Sequence, residues 1–93
     1  MSEKEWMAQV LQLADLLGWL CYHTHDSRRS REGFPDLVLA KAGRRTIFAE
    51  LKTETGATTP AQDRWIATLR AAGDRVFVWR PADLLEVAQT LRE

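Results

Sequence analysis

Gly33-Phe34-Pro35-Asp36-Leu37-Val38-Leu39-Ala40, then the basic turn Lys41-Ala42-Gly43-Arg44-Arg45, then Thr46-Ile47-Phe48-Ala49-Glu50-Leu51-Lys52 is the stretch that decides how this chain folds. It reads as two strands joined by a hairpin. Pro35 favours an extended conformation at Phe34 and is tolerated at the start of a strand. The run Leu37-Val38-Leu39 suggests a strand buried on both faces. Side chains alternate with period two, so Glu50 and Lys52 share one face of the second strand while Leu51 points away. An acid at the start of one strand therefore meets an acid-x-lysine at the end of its neighbour.

Outward from the hairpin, the chain punctuates itself. Trp6, Val10, Leu13, Ala14 and Leu17 fall at helical spacing over residues 3–17, with Ser2 as N-cap, Glu5 three residues on as a capping box, and Gly18 at the C-terminal stop. Trp19 to His25 alternates as a first strand, with Tyr22 and Thr24 on one face and Cys21, His23 and His25 on the other. Asp26 to Glu32 is a polar, basic loop. After the hairpin, Thr59-Pro60-Ala61-Gln62 opens a second helix with its own capping box, carrying Trp65, Ile66, Leu69 and Ala72 inward and stopping at Gly73. Val76 to Trp79 is a short buried strand, and Pro81 starts a last helix with Leu84, Val87, Ala88 and Leu91 on one face. The predicted order is α-β-β-β-α-β-α: a single α/β domain over 1–93, a small mixed sheet flanked by helices. A β-α-β crossover makes the last two strands parallel.

Composition sets bounds. A chain of 93 residues with 45% hydrophobic and 28% charged residues suits one small globular domain. Formal net charge is zero, so no global field attracts nucleic acid. Arginine and lysine nevertheless cluster, at Arg28, Arg29 and Arg31 and again at Lys41, Arg44 and Arg45. One cysteine, Cys21, excludes an intramolecular disulfide. The acidic, amphipathic N-terminus does not read as a signal peptide, and no apolar run approaches the ~18 residues needed to cross a bilayer. The expectation is a cytoplasmic protein.

Asp36, Glu50 and Lys52 each have an ordinary role available: a turn aspartate, a partner in a cross-hairpin ion pair, a charge that blocks a sheet edge. Together they match a different chemistry. Hard divalent cations take carboxylate, carbonyl and water oxygens, typically through one or two acids plus substrate phosphates. Asp36 and Glu50 could supply those acids. A cation there lowers the pKa of water and stabilises charge on a phosphoryl oxygen, and Lys52 would stand beside the scissile phosphate.

These residues also carry a family resemblance. Pro35-Asp36, a gap of thirteen residues, then Glu50-Leu51-Lys52 resembles the PD-(D/E)xK nuclease superfamily. Gly33-Phe34-Pro35-Asp36, Phe48-Ala49-Glu50-Leu51-Lys52, Thr59-Pro60-Ala61-Gln62 with Trp65, and Val76 to Pro81 in succession resemble the VRR-NUC nucleases, over nearly the whole chain and most like their small stand-alone phage and bacterial members. The resemblance implies a restriction-endonuclease-like core, Mg²⁺ or Mn²⁺ as cofactor, and structure-selective cleavage of branched DNA by a homodimer similar to Holliday-junction resolvases, with DNA repair as the setting. It also implies a glutamate from the first helix, in a pattern Ser-Glu-x-x-aromatic-Gln, where Met7 replaces the glutamine. Glu3 matches that position. Glu5 is the competing acid, with its own task at N3 of the capping box. Gln62 matches a family glutamine near the active site and is likewise at N3 of a capping box.

His23, His25, Ser27, Arg28 and Arg29 are read as lining the DNA approach to Asp36, arginine being suited to forking onto phosphates. The four tryptophans are read as core and interface rather than stacking platforms, with Trp6 and Trp65 on core-facing stripes. Two alternatives stand beside the enzyme. One is a non-catalytic DNA-binding or assembly module of the same fold. The other is a zinc-bound structural domain built on Cys21, His23 and His25, which lack a fourth ligand at finger-like spacing.

Overall fold

The structure, a computed structural model, describes residues 1–24 and 30–93. Helix α1 spans Glu3–Leu16 and begins with the expected capping box: the Glu5 amide donates to Ser2 Oγ at 3.1 Å, and the Ser2 amide donates to Glu5 Oε1 at 2.8 Å. Its apolar stripe, Trp6, Val10 and Ala14, is fully buried. Gly18 then takes φ +88°, the left-handed turn that lets the chain double back from the helix.

Strand β1 (Leu20–His23) pairs antiparallel with β2 (Leu37–Ala40), β2 pairs antiparallel with β3 (Ile47–Leu51), and β3 pairs parallel with β4 (Arg75–Trp79). Among the described residues these form one mixed sheet in the order β1-β2-β3-β4. Helix α2 (Pro60–Ala71) connects β3 to β4, and a 3₁₀ turn (Pro81–Asp83) leads into α3 (Leu84–Arg92). The α/β order read from the sequence is the order of the structure.

The two faces of the sheet have different company. One carries Leu37, Leu39, Ile47, Ala49, Leu51 and Trp79 into a core closed by α1 and by Val87 and Leu91 of α3. Indole N–H groups tie this core together: Trp6 Nε1 donates to the Trp79 carbonyl at 3.0 Å, and Trp19 Nε1 to the Leu91 carbonyl at 2.9 Å. The other face receives α2 and carries Val38, Phe48 and Glu50. Burial in β2 therefore alternates, with Leu37 and Leu39 inside and Val38 half-exposed, and the expected burial on both faces is not found. The reason is that α2 packs chiefly over β4, and among the described residues that side of β1 and β2 is only partly covered.

Two further expectations change, and the basic turn finds partners. In α2 only Ile66 is buried; Trp65 and Leu69 are half-buried and Ala72 is exposed, so Trp65 is not a core tryptophan. In α3, Leu84 is substantially exposed while Val87 and Leu91 hold the face. The basic hairpin turn lies at the end of the sheet away from Asp36 and Glu50, and two of its cations are engaged. Lys41 Nζ donates to the Leu17 carbonyl at 2.6 Å, and the Arg45 guanidinium donates to the Gly73 carbonyl. Both meet carbonyls where a helix ends, the negative pole of its dipole.

Candidate active site

The β2–β3 register pairs Leu37 with Ala49, so one step further Asp36 stands opposite Glu50, at the end of the sheet where β2 begins and β3 ends. Asp36 is anchored there by the backbone of the other strand: the Leu51 amide donates to Asp36 Oδ2 at 2.8 Å. On the far side of Asp36, its carbonyl accepts from the Thr24 amide at 3.1 Å, which holds the end of β1 beside it.

Glu50 is 1% exposed, an unusual position for a carboxylate. Its carboxyl pKa is pushed up to about 8, first by burial, then by the negative charge of Asp36 and a hydrogen bond with it; Lys52 opposes the shift and the charge of Glu3 adds to it. Lys52 is 9% exposed and its Nζ lies 3.9 Å from Glu50 Oε2. One ammonium does not balance two acids in so dry a place. This donor set suits a hard cation: adjacent carboxyl oxygens that one ammonium does not neutralise, so that Glu50 holds a proton which a divalent ion would replace.

Gln62 reaches the same carboxyl. Its Nε2 donates to Glu50 Oε2 at 3.1 Å while its Oε1 accepts from the Thr59 amide at 2.9 Å and its own amide donates to Thr59 Oγ1 at 3.2 Å. The sequence offered capping and site roles as competitors. A primary amide has an acceptor end and a donor end, and here each is used.

The first helix resolves its two glutamates differently. Glu5 is spent on Ser2 and turned to solvent, and those hydrogen bonds lower its carboxyl pKa. Glu3 is the acid whose charge reaches Glu50. Among the described residues no three Asp, Glu, His or Cys side chains converge closely enough to hold an ion by themselves. An ion at Asp36 and Glu50 would thus complete its shell with the Leu51 carbonyl, water and phosphate oxygens.

Two backbone devices set the frame. Gly33 has φ +89°, and a Cβ there would fall 2.4 Å from the Ala61 carbonyl carbon, so the approach to Asp36 packs backbone to backbone on the first turn of α2. Trp65 Nε1 donates to the Glu32 carbonyl at 3.1 Å, and Phe34 meets Trp65 edge to face at 5.0 Å. After Lys52, the Arg80 guanidinium donates to the Thr53 and Gly56 carbonyls at 2.5 and 2.6 Å, and Glu54 Oε1 accepts from the Ala82 amide at 3.1 Å. Sequence reading gave Arg80 no role of its own; it lay within Val76 to Pro81, a stretch noted for the resemblance and as the end of a strand and start of a helix.

His23 is half-buried at the end of β1 opposite Leu37, on the face that carries the core. His25, Ser27, Arg28 and Arg29 lie outside the described residues. Cys21 packs against the core; its thiol faces Asp15 Oδ1 and the Trp19 carbonyl at 3.6 Å each, and its pKa is pushed up to about 11 by burial and by Asp15. That environment disfavours the thiolate zinc requires.

Paired strands that bring Asp-x13-Glu-x-Lys to one sheet end, under a helix that supplies glutamine, define a nuclease-type α/β domain. The comparisons agree. The family model of the VRR-NUC domain matches residues 2–83. The solved structure of a VRR_NUC domain protein superimposes with a TM-score of 0.76 at 21% identity, covering 96% of this chain and 86% of that one. A search of curated proteins returns no match. The chain belongs to the VRR-NUC domain family, a nuclease-type domain. No helix among the described residues is long and apolar enough to cross a membrane.

Proposed function

We propose that this protein is a metal-dependent endodeoxyribonuclease that hydrolyses phosphodiesters in branched DNA, resembling Holliday-junction resolvases and acting as a homodimer. The observation that carries the reading is the buried Glu50 facing Asp36 across the β2–β3 pair with Lys52 3.9 Å from its carboxyl. Asp36, Glu50 and the Leu51 carbonyl would hold Mg²⁺ or Mn²⁺, with Glu3 adding negative charge nearby rather than completing a three-acid ligand set. Such an ion supplies an activated water and charge stabilisation at the phosphoryl oxygen.

The chain's own residues do the rest. Asp36, pinned by the Leu51 amide, and Glu50, pinned by Gln62, keep fixed oxygen positions. Lys52 carries a fixed positive charge to the place where negative charge develops on the phosphate. Branched DNA offers two-fold related strands, which a symmetric pair of small subunits would match. A DNA repair setting fits that substrate.

A panel of four-way junctions, flaps and plain duplex, incubated with Mg²⁺, Mn²⁺ or EDTA, tests this. Cleavage of the branched substrates that EDTA abolishes supports it. Salt-sensitive binding without cleavage under every metal condition would favour the assembly-module alternative instead.

A further inference from the structure

We propose that the uncovered part of the α2 face holds a stacking pocket for an unpaired nucleobase of the DNA, formed by Tyr22, Phe34 and Trp65 with Arg31. The inference rests on the DNA-acting reading of the adjacent acids and specifies which feature of the substrate they are presented with.

The β1–β2 register pairs Tyr22 with Val38 and the β2–β3 register pairs Val38 with Phe48, so Tyr22 shares the sheet face of Phe48 and Glu50. With α2 displaced towards β4, nothing described covers it, and Tyr22 is 62% exposed. Beside it lies a cleft of about 270 Å³ lined by Tyr22, Thr24, Ser30, Arg31, Phe34 and Trp65. Past Trp65 and Arg31 it continues into a groove that Arg64 also borders.

The walls are of the kind that take a nucleobase. Base–aromatic stacking is sequence-tolerant because every base has a π-face, and arginine adds a cation over it. Trp65 is held in place by its hydrogen bond to the Glu32 carbonyl and by the edge of Phe34, so its ring is already ordered before any ligand arrives. Arg31 and Arg64 give the rim the sign that attracts a phosphate chain.

Position ties the pocket to the acids. Trp65 is three residues beyond Gln62 on α2, roughly one helical turn or about 5 Å along the axis. Phe34 is two residues before Asp36, at most about 7 Å along the chain. Two independent elements thus put the aromatic walls within one nucleotide's reach of the carboxylate pair. A base paired in a duplex cannot enter such a cleft; one freed at a flap or branch point can.

The test is binding in EDTA, read by fluorescence anisotropy, with three probes: a labelled duplex bearing a short flap, the same duplex with abasic flap nucleotides at the branch, and the blunt duplex. The wild type is expected to bind the intact flap roughly 5- to 100-fold more tightly than the abasic one. Tyr22→Ala and Trp65→Leu should erase that preference while leaving blunt-duplex affinity nearly unchanged. Tyr22 is exposed, so its variant keeps the fold even if the Trp65 variant does not. Equal affinity for intact and abasic flaps overturns the proposal. So does a Tyr22→Ala loss equal on all three probes, or conversion of a dimer to monomers without any abasic effect. A wild type that discriminates abasic flaps but cuts nothing supports the pocket and defeats the nuclease reading; cleavage without discrimination does the reverse.

Discussion

Gln62 binds Glu50 and caps its own helix with the two ends of one amide: Nε2 donates to Glu50 Oε2 at 3.1 Å and Oε1 accepts from the Thr59 amide at 2.9 Å. The start of α2 and the rotamer of a buried acid are therefore one structural event. The helix cannot shift without moving the carboxyl, and the carboxyl has a donor that does not depend on a metal.

This coupling is separable by substitution. Gln62→Glu keeps an acceptor for the Thr59 amide but turns a carboxylate towards Glu50. Its melting temperature should stay near wild type at pH 5 and fall below it at pH 8, with DNA cleavage strongly reduced. Gln62→Ala should lose about 1 kcal/mol of stability through the cap at either pH. Thermal melts at the two pH values, alongside cleavage rates, distinguish the two roles.

Glu50 gives the metal-free protein an uncommon pH dependence. Its folded-state pKa, about 8, lies above the ordinary value of 4.5, so the folded chain holds this proton more tightly than the unfolded chain. The stability it contributes is full below about pH 4.5 and lost as pH rises through about 8. In EDTA, wild-type stability should decline over that window, and Glu50→Gln should flatten the decline and exceed wild type at pH 8. Because an ion must displace the proton, the Mg²⁺ concentration needed for half-maximal activity should fall as pH rises from 6 to 8.

Gly33 should tolerate no side chain. Gly33→Ala combines a strained positive φ with a Cβ 2.4 Å from the Ala61 backbone, which cannot give way as a flexible side chain would. A loss of at least about 1–3 kcal/mol is expected in urea unfolding, with activity falling as Asp36 and Gln62 are pushed apart.

Arg80 positions the loop after Lys52 rather than touching substrate. Arg80→Ala frees the Thr53 and Gly56 carbonyls and should lower kcat by about 10- to 100-fold with little change in DNA affinity. Arg80→Lys, which keeps a cation but not the planar guanidinium whose Nη1 serves both carbonyls, should restore part of kcat. Single-turnover rates measured beside binding constants provide the check.

Much of this was legible beforehand because local chemistry and tertiary need agreed. The Ser2 and Thr59 capping boxes, the period-two pattern around Glu50 and the parallel crossover all follow from short-range rules that the packing respects. The acid pair itself was readable because a hairpin folds the start of one strand beside the end of the next, so Asp36 could be placed at the same end as Glu50 and Lys52. What could not be read was anything decided by where a helix lies laterally on a sheet. Trp65 and Ala72 have helical spacing identical to core residues, yet α2 sits over β4 and leaves them at its margin. Val38 looked buried for the same reason. The Arg80 clamp joins residues more than twenty positions apart and has no periodic signature.

The most direct measurement is cleavage of a synthetic four-way junction by Glu50→Ala under Mg²⁺, with junction binding measured in parallel. The account predicts that the wild type cleaves, that Glu50→Ala loses at least about 100-fold in rate, and that its junction affinity stays within a small factor of wild type. Undiminished Mg²⁺-dependent cleavage by Glu50→Ala would contradict it.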